Sequence, residues 1–257
     1  MQEWTSSDGL ITIIQGDCRD VVPTLDSESF DAIVTDPPYE ITSLEWDKLV
    51  KEWPELVLRV LKPSESVWVF GTLRSLLQVN AYMEDAGYKF AQDVIWEKHN
   101  GSSFHADRFR RVHEQVMQFY PGTWADVYKN PVMVPGATKR TVRRKTRPTH
   151  MGEIEGQVYE SEDGGPKLER SVIFARSCHG HAIHPTQKPV EILDPLIEYS
   201  CPPGGKILDV FSGSASTAEA AHRRGVACVC IEKSPVEFDK SVDRIKQYLG
   251  EVGLFAS

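Results

Sequence analysis

From Lys206 to Glu232 the chain reads as strand, glycine turn, helix, strand and acid, an order that leaves few folds open to it. Lys206-Ile207-Leu208-Asp209-Val210-Phe211 is an apolar run of the kind buried on both faces of a parallel sheet. Ser212-Gly213-Ser214 breaks it; a helix follows from Ala215 to Arg224 and is closed by Gly225. Val226 to Ile231 is a second buried strand, with Glu232 at its end. Together these make one half of a doubly wound nucleoside-binding α/β fold. A glycine turn entering a helix offers free N–H groups to a carboxylate or other anion. Glu232, 23 residues after Asp209, stands about where such folds bond a ribose diol. No Gly-Lys-Ser/Thr follows the turn, and three glycines are lacking, so a smaller ligand tail suits it better than a pyrophosphate.

A second constellation lies far upstream. The β-branched run Phe30 to Thr35 ends in Asp36-Pro37-Pro38-Tyr39, which places four polar or rigid residues at the carboxyl edge of the sheet, where open α/β sheets bind ligands. Two prolines hold a stiff turn that lacks backbone donors and so presents acceptors. A carboxylate at Asp36 and the carbonyl of Pro37 can accept both hydrogens of an amino group on an aromatic ring, drawing the nitrogen lone pair out of conjugation. Tyr39 supplies a face for that ring to stack on.

Other elements follow from period and punctuation. Leu10 to Gln15 reads as a strand ending in Gly16-Asp17, with Asp17 either a helix N-cap or a ligand group at the strand edge. Asp47 to Leu61 has a helical period, with Pro54 a bend or a late start. Val67 to Phe70 is a strand; Thr72 caps a helix that runs to about Ala86 and Gly87. Phe90 to Trp96 and His113 to Tyr120 are two more strands, an antiparallel pair at one end of the sheet. Val190 to Tyr199 and Pro235 to Leu249 are helices. Ahead of the first of these stands His184-Pro185-Thr186-Gln187-Lys188-Pro189, whose Thr186, Gln187 and Lys188 can hold an amino-acid carboxylate. His179, His181 and His184 fit no zinc spacing, and no metal is expected.

Between residues 121 and 180 no apolar period lasts, which marks an inserted segment between a first part, 1–120, and a last part, 181–257. The formal net charge of −8 conceals a contrast: residues 98 to 150 hold 11 Lys and Arg against 3 Asp and Glu. Six cations fall between Lys139 and Arg147, namely Lys139, Arg140, Arg143, Arg144, Lys145 and Arg147, and Arg108, Arg110 and Arg111 lie in a loop upstream. A basic segment on an acidic body suits phosphate neutralisation on nucleic acid. The lack of an apolar run of eighteen residues or of a leader pattern, and five cysteines that include a core-like Cys228 and Cys230, point to a cytoplasmic protein.

DPPY at 36–39, HPTQKP at 184–189 and LDVFSGSAST at 208–217 together resemble the S-adenosylmethionine-dependent amino-methyltransferases of DNA. The motif order is similar to that of the β class, found in bacteria and phages. The resemblance implies a Rossmann-like, doubly wound, mostly parallel seven-stranded sheet with an antiparallel edge strand, in circularly permuted order, with 121–180 as target-recognition region. It implies that Asp36, Pro37, Pro38 and Tyr39 bind and activate a flipped base. It further implies that Asp209, Phe211, Ser212, Gly213 and Ser214, assisted by Thr186, Gln187 and Lys188, hold the methionine part of the cofactor, that Glu232 bonds the ribose, and that Asp17 lies near the adenine. Trp96 and Lys98 resemble an element that walls the target pocket. Asp36, where N4-cytosine relatives usually carry serine, favours N6 of adenine in double-stranded DNA. N4 of cytosine is the alternative, followed by an RNA or protein amide and by a silent DNA-binding relative. A homodimer and a cognate restriction endonuclease are family expectations. Val210 and Ala215 depart from the commoner proline and glycine, and Ala215 is expected to be helical already, where alanine is favourable.

Overall fold

The computed structural model describes residues 2–40, 47–102, 106–144, 156–178 and 187–251. They divide into two compact units, 1–130 with 171–257 and Pro131–Arg170.

In the first unit the strands are β1 (Gln2–Thr5), β2 (Ile11–Gln15), β3 (Phe30–Thr35), β4 (Leu61–Gly71), β5 (Lys89–Ser102) and β6 (Arg111–Tyr120), then β11 (Val172–Phe174), β12 (Lys206–Asp209) and β13 (Ala227–Glu232). The helices are α1 (Cys18–Val21), α2 (Trp53–Val60), α3 (Leu73–Asp85), α4 (Val190–Ser200), α5 (Ser216–Arg223) and α6 (Pro235–Leu249). Nine strands form one sheet in the order β1-β2-β13-β12-β3-β4-β6-β5-β11. Seven run parallel; β1 and β6 are antiparallel to their neighbours. The sheet therefore has two more strands than the seven expected. Both additions, β1 and β11, are short outer strands, and the edges of a sheet need no long apolar run.

The central strands are mostly buried and largely apolar because helices cover both faces. On one side Ile192, Leu196, Ala218, Ala221, Phe238 and Ile245 pack on Ile13, Ala32, Val34 and Trp68. On the other Val21, Trp53, Val57, Leu76 and Val79 pack on Ile33, Val67 and Val69. Alternate residues of one strand thus feed two cores. From β12 the crossover leads outward to β13, and from β3 it leads the opposite way to β4, while β12 and β3 pair directly. That reversal opens a crevice at the carboxyl edge between β12 and β3.

Local chemistry sets the helix starts. Pro54 occupies the first turn of α2, so the helix begins at Trp53 rather than at Asp47. Thr72 and Ser75 form a reciprocal capping box on α3. Among the described residues no helix is long and apolar enough to cross a membrane.

The second unit is narrower than the 121–180 segment expected from the sequence. Tyr128 and Asn130 are tied by backbone bonds to Ser64 and Tyr199, and Ser171 to Phe174 extend the main sheet along β5, so these stretches belong to the first unit. Within 131–170, β7 (Met133–Val134) pairs with β10 (Lys167–Leu168) and β8 (Arg140–Arg144) with β9 (Gln157–Ser161), both antiparallel.

In the first half of the interior strand β4, Glu65 is 6% exposed and its Oε2 has no partner among the described residues. Burial and then the nearby Asp31 carboxylate push it up to about 7 from an ordinary 4.5. The folded protein therefore holds this proton more tightly than the unfolded chain does. The stability it contributes is present below about pH 4.5 and is lost as the pH rises through about 7. Glu65→Gln is expected to raise stability by about 1–2 kcal/mol at pH 8 and to change it little at pH 5, which paired thermal melts would measure.

Candidate active site

The carboxyl ends of four adjacent strands carry the residues singled out from the sequence: Asp17 after β2, Glu232 at the end of β13, Asp209 at the end of β12, and Asp36 after β3. Register explains the first pair, because Gln15 lies opposite Glu232 and the Gly16 N–H donates to the Glu232 carbonyl at 2.9 Å.

Asp17 is the N-cap of α1, accepting from the Arg19 N–H at 3.0 Å. It also pairs with Arg19 and Lys233, at 2.7 and 3.0 Å. The Arg19 guanidinium, above all, holds its carboxyl well below the usual range. Glu232 turns inward: Oε2 accepts from the Gly213 N–H at 2.9 Å and Oε1 from the Ser234 N–H at 2.7 Å. Burial nevertheless keeps its proton affinity raised. Since a carboxylate has about four acceptor positions, a diol can be bonded alongside both amides.

Asp209 is 3% exposed and organises the glycine loop from beneath. Oδ1 accepts from Thr35 Oγ1 at 2.9 Å and from the Phe211 N–H at 3.1 Å, and Oδ2 accepts from Thr217 Oγ1 at 2.7 Å. The Thr35 bond fastens β12 to β3 across the crevice. Burial raises the Asp209 carboxyl to about 6, against the pull of those three donors. Above it the loop turns with Gly213 at φ +49°. Arg244 of α6 donates to the Ser214 carbonyl at 3.1 Å and is paired with Glu219. Ser212 Oγ is buried with no partner among the described residues. A buried hydroxyl in that state is a donor and acceptor kept for a ligand, so this loop fits the polar tail of S-adenosylmethionine.

Ala215 corrects one expectation. It is not helical: it precedes α5 as its N-cap, in the left-handed conformation at φ 57°, ψ 34°. The glycine usual at this position matches that backbone, and the alanine methyl is held there fully buried. A left-handed alanine costs about 1–2 kcal/mol, and a glycine in its place would lose a buried methyl worth about 0.8 kcal/mol as well as chain entropy. Ala215→Gly is thus expected to be close to neutral, whereas the β-branched Ala215→Val should cost more than about 2 kcal/mol; chemical denaturation of both variants would compare them.

At the end of β3 the stiff turn is held from outside by Asp47, whose Oδ1 accepts from the Tyr39 N–H at 2.7 Å and the Glu40 N–H at 2.9 Å. Pro37 is buried and Pro38 half-buried. The Tyr39 hydroxyl donates to Asp36 Oδ1 at 2.5 Å, and Lys188 Nζ is ion-paired with Asp36 Oδ2. Lys188, expected near the cofactor's carboxylate, reaches Asp36 through this pair. Its Nζ also lies 3.5 Å from Glu114 Oε2. Glu114 is paired in turn with Lys98, whose ammonium is 4.2 Å from the centre of the Trp96 ring. The Trp96 indole N–H donates to the Ala175 carbonyl at 2.9 Å.

This cluster is electrostatically tight. Burial pushes the Asp36 carboxyl up, with Lys188 opposing and Glu114 reinforcing the rise. Burial, then Asp36 and Glu114, drives the Tyr39 phenol far above its ordinary value, so it remains a donor. Burial alone would raise Glu114, but Lys188 and Lys98 outweigh it and hold it down. Burial works against the Lys188 ammonium, yet Asp36 and Glu114 outweigh it.

Of the other expected residues, Thr186, Lys145 and Arg147 lie outside the described residues. Gln187 is half-buried just ahead of Lys188. Arg108 and Arg110 are exposed on the β5–β6 loop beside a fully exposed Phe109, whereas Arg111, expected in that loop, is exposed at the start of β6, opposite Ser102 of β5; Arg108 pairs with Asp107 and Arg110 donates to the Gly101 carbonyl. On the second unit Lys139 and Arg140 are exposed, and β8 carries Arg143 and Arg144. Glu114 and Asp47 were missed by sequence reasoning. Glu114 stands in the polar start, His113-Glu114-Gln115, of the strand His113 to Tyr120, where a carboxylate gives no signal of its own.

Three comparisons bear on this geometry. Residues 30–243 match the family model described as DNA methylase, of the N6/N4 methyltransferases. The type II methyltransferase M.HinfI of Haemophilus influenzae is 27% identical over 282 residues, covering 96% of this chain and 71% of that protein. Among solved structures, the M1.HpyAVI–SAM complex superposes with a TM-score of 0.63 at 17% identity, over 91% of this chain and 99% of that one. The cytosine-N4-specific PvuII DNA methyltransferase superposes with a TM-score of 0.66 at 16% identity, over 98% and 89%. The fold is theirs, and with most of its length matched by the family model the chain belongs to the DNA methylase family, the S-adenosylmethionine-dependent amino-methyltransferases of DNA.

Proposed function

We propose that this chain methylates the N6 amino group of a flipped adenine in double-stranded DNA. The observation that carries the reading is Asp36 itself. It is a carboxylate, not a serine, at the crevice edge, braced by the Tyr39 hydroxyl and facing a neighbouring strand end that carries a ligand-ready loop.

When bound, S-adenosylmethionine supplies an electrophilic methyl group. Ser212, Gly213 and Ser214 would hold its polar tail, with Gln187 and Thr186 alongside, and Glu232 its ribose; Phe211 and Asp17 would line the same site. The chain's own work is done at Asp36 and the turn. The target base must leave the helix to be reached, and the Tyr39 ring gives it a surface to stack on. Asp36 accepts one amine hydrogen and the Pro37 carbonyl the other, which localises the lone pair on nitrogen. Asp36 is also the acceptor for the proton that leaves as the new N–C bond forms, and its burial-raised proton affinity favours that role. Pro38 keeps the turn rigid, so that positioning and electrostatics supply most of the rate.

The duplex would be held through phosphates by Arg108, Arg110 and Arg111 and by Lys139, Arg140, Arg143, Arg144, Lys145 and Arg147. Mass spectrometry of nucleosides from duplex DNA treated with the protein and S-adenosylmethionine tests the base assignment. N6-methyladenine is the expected product, and N4-methylcytosine would overturn the choice of base.

A further inference from the structure

The Lys188 ammonium occupies the position on Asp36 that the proposed chemistry needs for the target amine. Asp36 divides its oxygens, Oδ1 to the Tyr39 hydroxyl and Oδ2 to Lys188. An ammonium and an exocyclic amine are both N–H donors, and the charged one makes the stronger bond to a carboxylate. An entering base must therefore displace it, and a buried ammonium driven from its carboxylate bears a large desolvation penalty unless another anion is at hand. Glu114 is at hand. Its Oε2 lies 3.5 Å from Lys188 Nζ and 3.5 Å from the Tyr39 hydroxyl. A rotation of one long side chain thus carries the ammonium from one carboxylate to the other with an ion pair kept throughout. Nζ is 5.4 Å from the centre of the Phe70 ring and 5.7 Å from that of Tyr39, so aromatic rings line the place where it rests. Asp36 and Glu114 against Lys188 and Lys98 make a balanced set of charges, and a neutral base can enter without changing that balance.

We propose that Lys188 holds the target amine's place on Asp36 until DNA binds, and that Glu114 is the positioning residue that draws the ammonium aside when the base enters. The proposal rests on the reading of Asp36 as the acceptor of the target amine.

The test is a double-mutant cycle in steady-state methylation of duplex DNA, using wild type, Glu114→Gln, Lys188→Met and the double variant across roughly pH 5.5 to 9. In Glu114→Gln the ammonium stays on Asp36. The rate constant kcat should fall about 30-fold while the KM for S-adenosylmethionine stays within about twofold, and the acidic limb of the profile should move down. In Lys188→Met the burial of Asp36 is unopposed by its cation, and the same limb should move up by about a unit. The double variant should be no slower than Lys188→Met alone, because no ammonium is left to draw aside. Losses that multiply in the double variant, or an acidic limb unmoved by Glu114→Gln, would overturn the proposal. Where Glu114→Gln does not fold, Glu114→Asp with and without Lys188→Met carries the same comparison and the same two outcomes. A wild type that methylates no DNA refutes the parent reading and the proposal together; a methylating wild type with multiplicative losses refutes the proposal alone.

Discussion

Asp36→Ala is expected to lower kcat by about 10³-fold while S-adenosylmethionine and duplex DNA still bind. The substitution removes the acceptor of the amine hydrogen and of the departing proton at once, and it also frees the Tyr39 hydroxyl and the Lys188 ammonium from their shared carboxylate. Lys188 retains Glu114 nearby, so the variant should stay folded, with a stability loss of about 1–3 kcal/mol for the broken buried pair. Asp36→Asn separates the two effects. Its amide carbonyl still accepts one hydrogen bond, but it cannot take a proton, so kcat should remain far below wild type although packing is preserved. Rates measured at saturating DNA and cofactor, together with binding titrations, distinguish lost chemistry from lost binding.

The second large effect concerns Asp209. Alanine there strands three donors, Thr35 Oγ1, Thr217 Oγ1 and the Phe211 N–H, in a region that is 3% exposed at Asp209 itself. A loss of about 3 kcal/mol follows from the desolvation of groups left unpaired, which in a protein of this size lowers Tm by about 6–12 °C. Cofactor affinity should fall with it, because the glycine loop is held from below by these bonds. Asp209→Asn should be nearly harmless: its carbonyl serves Thr35 and Phe211, and the Thr217 hydroxyl can rotate to accept from the amide. The sign of its pH dependence follows from the raised carboxyl. The stability that the carboxyl contributes is complete below about 3.8 and lost as the pH rises through about 6, so Asn gains on wild type above pH 6. Melting curves of the three proteins at pH 5 and 8 read both effects.

Why so much of this was legible lies in the physics of parallel strands. Strands β3, β12 and β13 are covered on both faces, so each has a mainly apolar stretch with a functional carboxylate at its end or just beyond it. The edge of the sheet could thus be placed before any contact was known. What stayed hidden depends on pairs remote in the chain. Thr35 meets Asp209 across 174 residues, and Glu114 meets Lys188 from the polar first half of β6, where a carboxylate is ordinary. That Lys188 reaches Asp36 was hidden in the same way, because the two are 152 residues apart. The left-handed Ala215 was hidden for a local reason: alanine's strong helix propensity gives no sign of a cap that requires positive φ. Strands β1 and β11 escaped because edge strands need not be apolar.

The central claim is that this one sheet edge transfers methyl groups to DNA through Asp36. It is tested most directly by counting tritium transferred from methyl-labelled S-adenosylmethionine to unmethylated genomic DNA, with Asp36→Ala in parallel. Label in DNA from the wild type and none from the variant, with cofactor bound by both, is the predicted result. Equal labelling by the two proteins, or a wild type that binds the cofactor and labels no DNA, would contradict it.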